Sequence, residues 1–348
     1  MKKVAIITIQ SINLGNRLQN YALQEAIKEL GYDVYTLQRV HKTFSVKTLV
    51  EDIKDLGRTL LGTRKGRYIR FDRARIRFGK EYVLANEADS DLADKYDFFV
   101  AGSDQVWNPY YGHLAGISDL LFFARNGQKI SYAASFGVDA VPDEKQEIFS
   151  NQLQGFKDIS VREEAGAKIV KELTGREAVT VLDPTLLLDI SQYKKIQKKP
   201  ASVPNGKYVL VYLLGGRTEI FTEYVQSSME YKEDELYDIL QWKASGRQLP
   251  IGPAEFIYLV NHSEMVLTDS FHATVFATIF HKPVRTFPRG GIDISSRIVS
   301  LASSFGLGTN FTEDGVFYIN KDADYGQIEE HLNEEKEKSI RFLKMAFG

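Results

Sequence analysis

The chain has 348 residues, 43% of them hydrophobic, which is enough for about two well-filled domains. Its 44 Lys and Arg residues balance 46 Asp and Glu, so no excess positive charge is available to hold a nucleic-acid backbone. The absence of cysteine excludes disulfides, thiolate metal sites and cysteine nucleophiles, and fits a reducing compartment.

The opening MKKVAIITIQ has too short an apolar run for a secretory signal, because Gln10, Ser11 and Asn13 follow Ile9; no run is long enough to span a membrane. A soluble cytoplasmic protein is expected. The first forty residues read strand (VAIITI), loop (QSINLGN), helix (RLQNYALQEAIKEL, closed by Gly31) and strand (DVYTLQ), the grammar of a parallel sheet. The loop has a single glycine, Gly15, so a dinucleotide-binding fingerprint is absent. Next comes RKGRYIRFDRARIR, Arg64 to Arg77, which sets Arg67, Arg70, Arg73 and Arg77 near one helical stripe and Tyr68, Phe71 and Phe78 on another. Two readings stand: a solvated face, or peripheral docking to anionic lipid head groups or a pyrophosphate-bearing acceptor at the inner face of a membrane.

Short apolar strands follow at Tyr96–Ala101, Lys129–Ser135, Asp158–Val161 and Ala178–Leu182, each ending in Gly, polar or charged residues. Such strand ends line the ligand crevice of an open parallel sheet. SQYKKIQKKPASVPNG, Ser191 to Gly206, is lysine-rich and broken by two prolines, as a linker would be. The pattern then restarts with YVLVYLL opening onto Gly215 and Gly216, a helix from about Thr218, and a helix from Pro253 to Asn261. Met265–Leu267 reads as a strand, Phe271–Phe280 as an apolar helix and Val284–Phe287 as a strand, before a charged helix over Tyr325–Phe347. The expected fold is α/β, two Rossmann-like doubly wound domains facing a cleft. The expected boundaries are 1–195, a linker 196–206, 207–325, and a C-terminal helix 326–348 packing back on the first domain.

Four segments carry candidate chemistry. In TDSFHATVF, Asp269 or Ser270 is a helix cap and His272 falls in the first turn, where backbone N–H groups and the helix dipole favour a phosphate or carboxylate. An anion bound there would tie the proton on His272 to substrate binding. In SVREEAG, Arg162 at a strand exit either grips an anion in two-pronged fashion or pairs with Glu163, Glu164 or another carboxylate. In GSDQVWNP, Ser103, Asp104, Gln105 and Trp107 offer the hydroxyl, carboxylate, amide and aromatic face that sugars need; alternatively Ser103 or Asp104 is a cap and Trp107 is core. In SINLGNRLQN, Asn16 and Asn20 lie four apart on one helical face and either bind a ligand or belong to a capped loop. The other histidines, His41, His113, His262, His281 and His331, form no HExxH or HxH pair, so no metal is expected.

Taken in order, GNRLQNYALQ, GSDQVWNP, SYAASFG, SVREEAG, VLDPTLLL, GPAEFIYLV, TDSFHATVFA and SSRIVSL resemble the polysaccharide pyruvyl transferase family from about Lys3 to Leu307. The resemblance implies a fold like that of GT-B glycosyltransferases, with phosphoenolpyruvate as co-substrate. It implies a sugar, glycan or lipid-linked oligosaccharide acceptor, and no metal or redox cofactor. Arg162 and His272 match the residues expected to act on the donor, with Ser270 beside them. The family often carries arginine two residues before the histidine, where this chain has Ser270; Arg297 is the expected replacement, with Lys282 second. Asn16, Asn20, Ser103, Asp104, Gln105 and Trp107 are then the acceptor candidates. A nucleotide-sugar glycosyltransferase using Glu255 or Ser270 is the first alternative, and a non-catalytic glycan-binding protein the second.

Overall fold

A computed structural model describes residues 1–40, 54–55, 57–84, 91–111, 119–227, 231–240, 249–289 and 295–348. His41 and His113 lie outside the described residues. The chain divides into two compact units, residues 1–51, 72–188 and 333–348 in the first, and 52–71 and 189–332 in the second.

The first unit is built on a seven-stranded, all-parallel sheet of β1 (Lys3–Ile7), β2 (Asp33–Val40), β3 (Phe78–Leu84), β4 (Phe98–Asp104), β5 (Lys129–Ala134), β6 (Ser160–Val161) and β7 (Val179–Thr180), in the order 3-2-1-4-5-6-7. β4 and β5 are buried along their whole length, as the continuous apolar runs of a two-sided parallel sheet require. The winding reverses between β1 and β4, and the carboxyl ends of that pair form the switch point where doubly wound sheets bind ligands.

The second unit holds β8 (Val209–Tyr212), β9 (Leu236–Asp238), β10 (Met265–Thr268), β11 (Val284–Thr286) and β12 (Phe317–Ile319), in the order 12-11-10-8-9, parallel except for the β11–β12 edge. Its switch point lies between β8 and β10. Val211, Leu213, Leu267 and Phe287 fill the core on one face of this sheet, while Tyr212 turns to the other, its ring 5.6 Å from that of Phe256.

The two units are Rossmann-like, as expected, yet the division of the chain differs from the sequence reading. The proline-broken stretch is anchored in the second unit rather than free. Lys198 N–H donates to Ala254 O at 2.9 Å, and Asn261 Nδ2 to Gln197 Oε1 at 3.0 Å. Just before it, Tyr193 is fully buried with its ring 4.9 Å from Phe276. The helix Tyr325–Phe347 forms as expected, and from Asn333 on it belongs to the first unit. There Ser339 Oγ accepts the N–H of Leu182 at 2.9 Å, and the Phe347 ring lies tilted against Tyr32, centroids 4.8 Å apart. The basic helix Arg64–Arg75 is split between the units.

Candidate functional site

In the first unit, Asp104 closes β4 in a left-handed conformation, φ 73°. That turn brings its carboxylate to the helix Leu14–Glu29, where Asn16 Nδ2 donates to it and Asn16 Oδ1 accepts from Ser11 Oγ. On its other side stands Arg162, just past β6, with Nη1 3.1 Å from Asp183 Oδ2, Nη2 3.4 Å from Asp104 Oδ1 and Nε 3.6 Å from Glu163 Oε2. Burial works against the guanidinium charge, but Asp104, Glu163 and Asp183 outweigh it and raise the Arg162 pKa. Asp183 also accepts from Ser103 Oγ at 3.1 Å and from Thr185 N–H and Oγ1 at 3.0 and 2.7 Å. The sequence thus brings Asn16, Ser103, Asp104 and Arg162 to one place, the switch point of the sheet.

Asp183 and Glu163 are buried against the guanidinium, and Asp104 is the carboxylate that keeps some exposure. Arg162 thus pairs with buried carboxylates, Asp183 through Nη1 and Asp104 through Nη2, one of the two readings its sequence allowed. Sequence reasoning did not single out Asp183; the DP pair opening a short helical turn was the available signal.

Other acceptor candidates are placed differently. Trp107 is 1% exposed in the core, its ring 5.3 Å from Phe136 and 5.5 Å from Phe156, with Nε1 donating to Asp119 O at 3.1 Å. It offers no face to a sugar. Asn20 is equally interior, accepting from Thr36 Oγ1 on β2 at 2.9 Å. Gln105 is buried, and its Oε1 accepts from Tyr111 Oη.

In the second unit the helix Phe271–Ile279 starts at the switch point. Ser270 is its N-cap, with Oγ 3.5 Å from the Ala273 N–H, and its own N–H donates to Thr268 Oγ1 at 3.0 Å. His272 is the second residue of the first turn and is buried, its ring edge-on to Phe271 at 5.3 Å. Asp269, 2% exposed, spans the gap to β8 by accepting the N–H groups of Leu214 at 2.7 Å and Gly215 at 2.6 Å. Arg289 lies over the same carboxylate: Nε is 3.0 Å from Asp269 Oδ2, and Nη2 is 2.9 Å from Asp269 O. Sequence reasoning missed Arg289, whose only trace was a basic residue before two glycines just past a strand.

Arg297 is buried on the helix Ser295–Ser304, which packs against the His272 helix. Burial lowers the pKa of Lys282, opposed by Glu264. Glu255 is committed to its own helix start, accepting the Gly252 N–H at 3.2 Å, and to Arg67 Nη1 at 3.2 Å. That pairing also removes Arg67 from the basic stripe, where Arg77 bonds Asp33 and Tyr68 and Phe71 are buried. Among the described residues, no three His, Asp or Glu side chains are grouped to hold a metal ion, and no helix is long and apolar enough to cross a membrane.

Two Rossmann-like domains with polar clusters at both switch points define the class: an α/β protein of the GT-B kind of fold. The polysaccharide pyruvyl transferase profile matches residues 13–290, and the chain belongs to that family. No curated protein matches the sequence. Among solved structures, the chain is similar to a putative UDP-N-acetylglucosamine 2-epimerase from Listeria monocytogenes, at 13% identity and TM-score 0.50, covering 99% of this chain and 91% of that one. A UDP-GlcNAc 2-epimerase from Methanocaldococcus jannaschii also aligns, at 13% identity and TM-score 0.49 over 96% of this chain and 99% of that one.

Proposed function

We propose that the protein transfers a pyruvyl group from phosphoenolpyruvate to sugar hydroxyls of a surface polysaccharide or its precursor, forming a ketal and releasing phosphate. The observation that carries this reading is the placement of His272 in the first turn of a helix at the switch point of the second sheet, in a chain of this family. A helix start welcomes the donor's phosphate or carboxylate. In the first unit Asp104, the most exposed of the three carboxylates beside Arg162, is the acceptor offered to a sugar hydroxyl.

In the reaction, the donor methylene takes a proton, supplied by His272 or by water, and becomes the methyl group. A sugar hydroxyl oxygen bonds to the resulting cationic carbon and gives up its proton. The carbon–oxygen bond to phosphate then breaks as a second hydroxyl oxygen bonds to the same carbon, and the remaining proton leaves with phosphate. Phosphoenolpyruvate is a cytoplasmic metabolite, so the reaction belongs on the cytoplasmic side, on a free or lipid-linked sugar.

The test is incubation of the purified protein with phosphoenolpyruvate and a panel of sugars, following phosphate release and the ketal methyl signal by NMR. Both should appear together, and His272→Ala should lower turnover roughly 100-fold or more. Thermal stabilisation by nucleotide-sugars with no phosphate release would replace this reading with glycosyl transfer. Full turnover in His272→Ala would remove the histidine from the chemistry.

A further inference from the structure

The helix start at Ser270 carries no basic residue within its own first turn apart from His272, and the family resemblance named Arg297 as the replacement guanidinium. The structure assigns that part to Arg289: we propose that it is the anion-binding arginine of the site ahead of the His272 helix, a phosphate- or carboxylate-binding residue. The inference rests on the proposed donor site and names a further residue within it.

Three observations place it. Arg289 is fixed at the helix start through Nε and Nη2, both on Asp269, the residue immediately before the cap. A guanidinium has five N–H donors, and among the described residues Nη1 of Arg289 donates to nothing, on a side chain 17% exposed. Asp269 also accepts the Leu214 and Gly215 N–H groups, which fixes its carboxylate, and the arginine paired with it, at the helix start.

Gly215 makes the placement possible. A Cβ there would stand 2.6 Å from Arg289 Cγ and 3.1 Å from Asp269 Oδ2, so the loop after β8 lets the arginine lie flat across it only because that residue is glycine. Independently, the Tyr212 hydroxyl at the end of β8 is buried with no hydrogen-bond partner among the described residues. Burial raises its pKa, and the charges that act on it are, in order, Tyr68, Arg64, Asp269 and Arg289. A buried donor left unmet costs free energy, which places an unmet polar group in the neighbourhood of this ion pair.

The experiment measures binding of phosphoenolpyruvate and of inorganic phosphate by calorimetry to wild type, Arg289→Ala, Arg289→Lys and the double variant Ser270→Arg/Arg289→Ala, with thermal midpoints recorded for each. Arg289→Ala should weaken both ligands about ten- to hundredfold, the range of a lost charge-assisted bond. Arg289→Lys should recover part of the loss, and the double variant should recover more than half of it on a logarithmic scale, since arginine at position 270 returns the charge to the same helix start. Wild-type affinity in a folded Arg289→Ala protein that binds phosphoenolpyruvate overturns the inference and leaves the donor reading intact. Arg289-dependent binding of phosphate without any binding of phosphoenolpyruvate supports the inference and removes the proposed donor. Failure of wild type to bind either ligand overturns both.

Discussion

Removing Arg162 should unfold the first unit more readily. The side chain is 3% exposed, and its partners Asp183, Glu163 and Asp104 are 0%, 2% and 11% exposed. Arg162→Ala strands these carboxylates in a medium that solvates them poorly, and loss of one member of a buried ion pair costs about 3–5 kcal/mol. Against a total stability of about 5–15 kcal/mol, that is a large share. For a unit of this size it corresponds to a fall in midpoint of roughly 6–20 °C. Scanning calorimetry of wild type, Arg162→Ala and Arg162→Lys at about pH 8 tests this, with the lysine variant intermediate. An Arg162→Ala protein as stable as wild type at about pH 8, but unable to bind phosphoenolpyruvate, would refute the reasoning. It would return Arg162 to the donor-binding part the sequence suggested.

Trp107→Ala should cost about 3–5 kcal/mol in a urea titration, as for a large aromatic removed from a core, while the acceptor KM of the folded fraction stays unchanged. A raised KM at unchanged stability would make Trp107 a sugar platform after all. Burial pushes the Asp119 carboxyl up to about 6, with Arg39 opposing. The folded state therefore holds this proton more tightly than the unfolded chain, and its contribution to stability falls as pH rises from about 4 to about 6, by about 3 kcal/mol. Asp119→Asn should flatten that segment of the stability–pH curve, and an unchanged slope would show that another group sets it. Gly215→Ala should weaken phosphate binding in the direction of Arg289→Ala by displacing the arginine stem; undiminished affinity would show that the loop gives way at no cost.

The elements legible in the sequence were those whose residues declare themselves locally. Buried strands such as β4 and β5 are continuous apolar runs, and the helix Leu14–Glu29 shows its cap, its stripe and its stop. β3 went unread because FGKEYVL mixes charged with apolar residues, as an edge strand does, and it follows directly on a basic helix. β9 and β12 are three residues each, too short to show a period. Pro200 and Pro204 suggested a free linker, but proline reports only local backbone restriction. It says nothing of the hydrogen bonds from Lys198 and Asn261 that fasten this stretch to the second unit.

The sequence by itself determined the parallel α/β grammar, the family, and the placing of His272 at a strand-to-helix junction, because each depends on residues close together in the chain. Only the tertiary structure decided what those residues face. Asp183, which sets the charge around Arg162, is 21 positions away from it, and Asp104 is 58 positions away. Arg289 reaches Asp269 across 20 residues because β10 and β11 run parallel, bringing their carboxyl ends side by side. Whether an arginine grips a ligand or a buried carboxylate is settled by such distant neighbours, through desolvation and Coulomb attraction that no local pattern encodes.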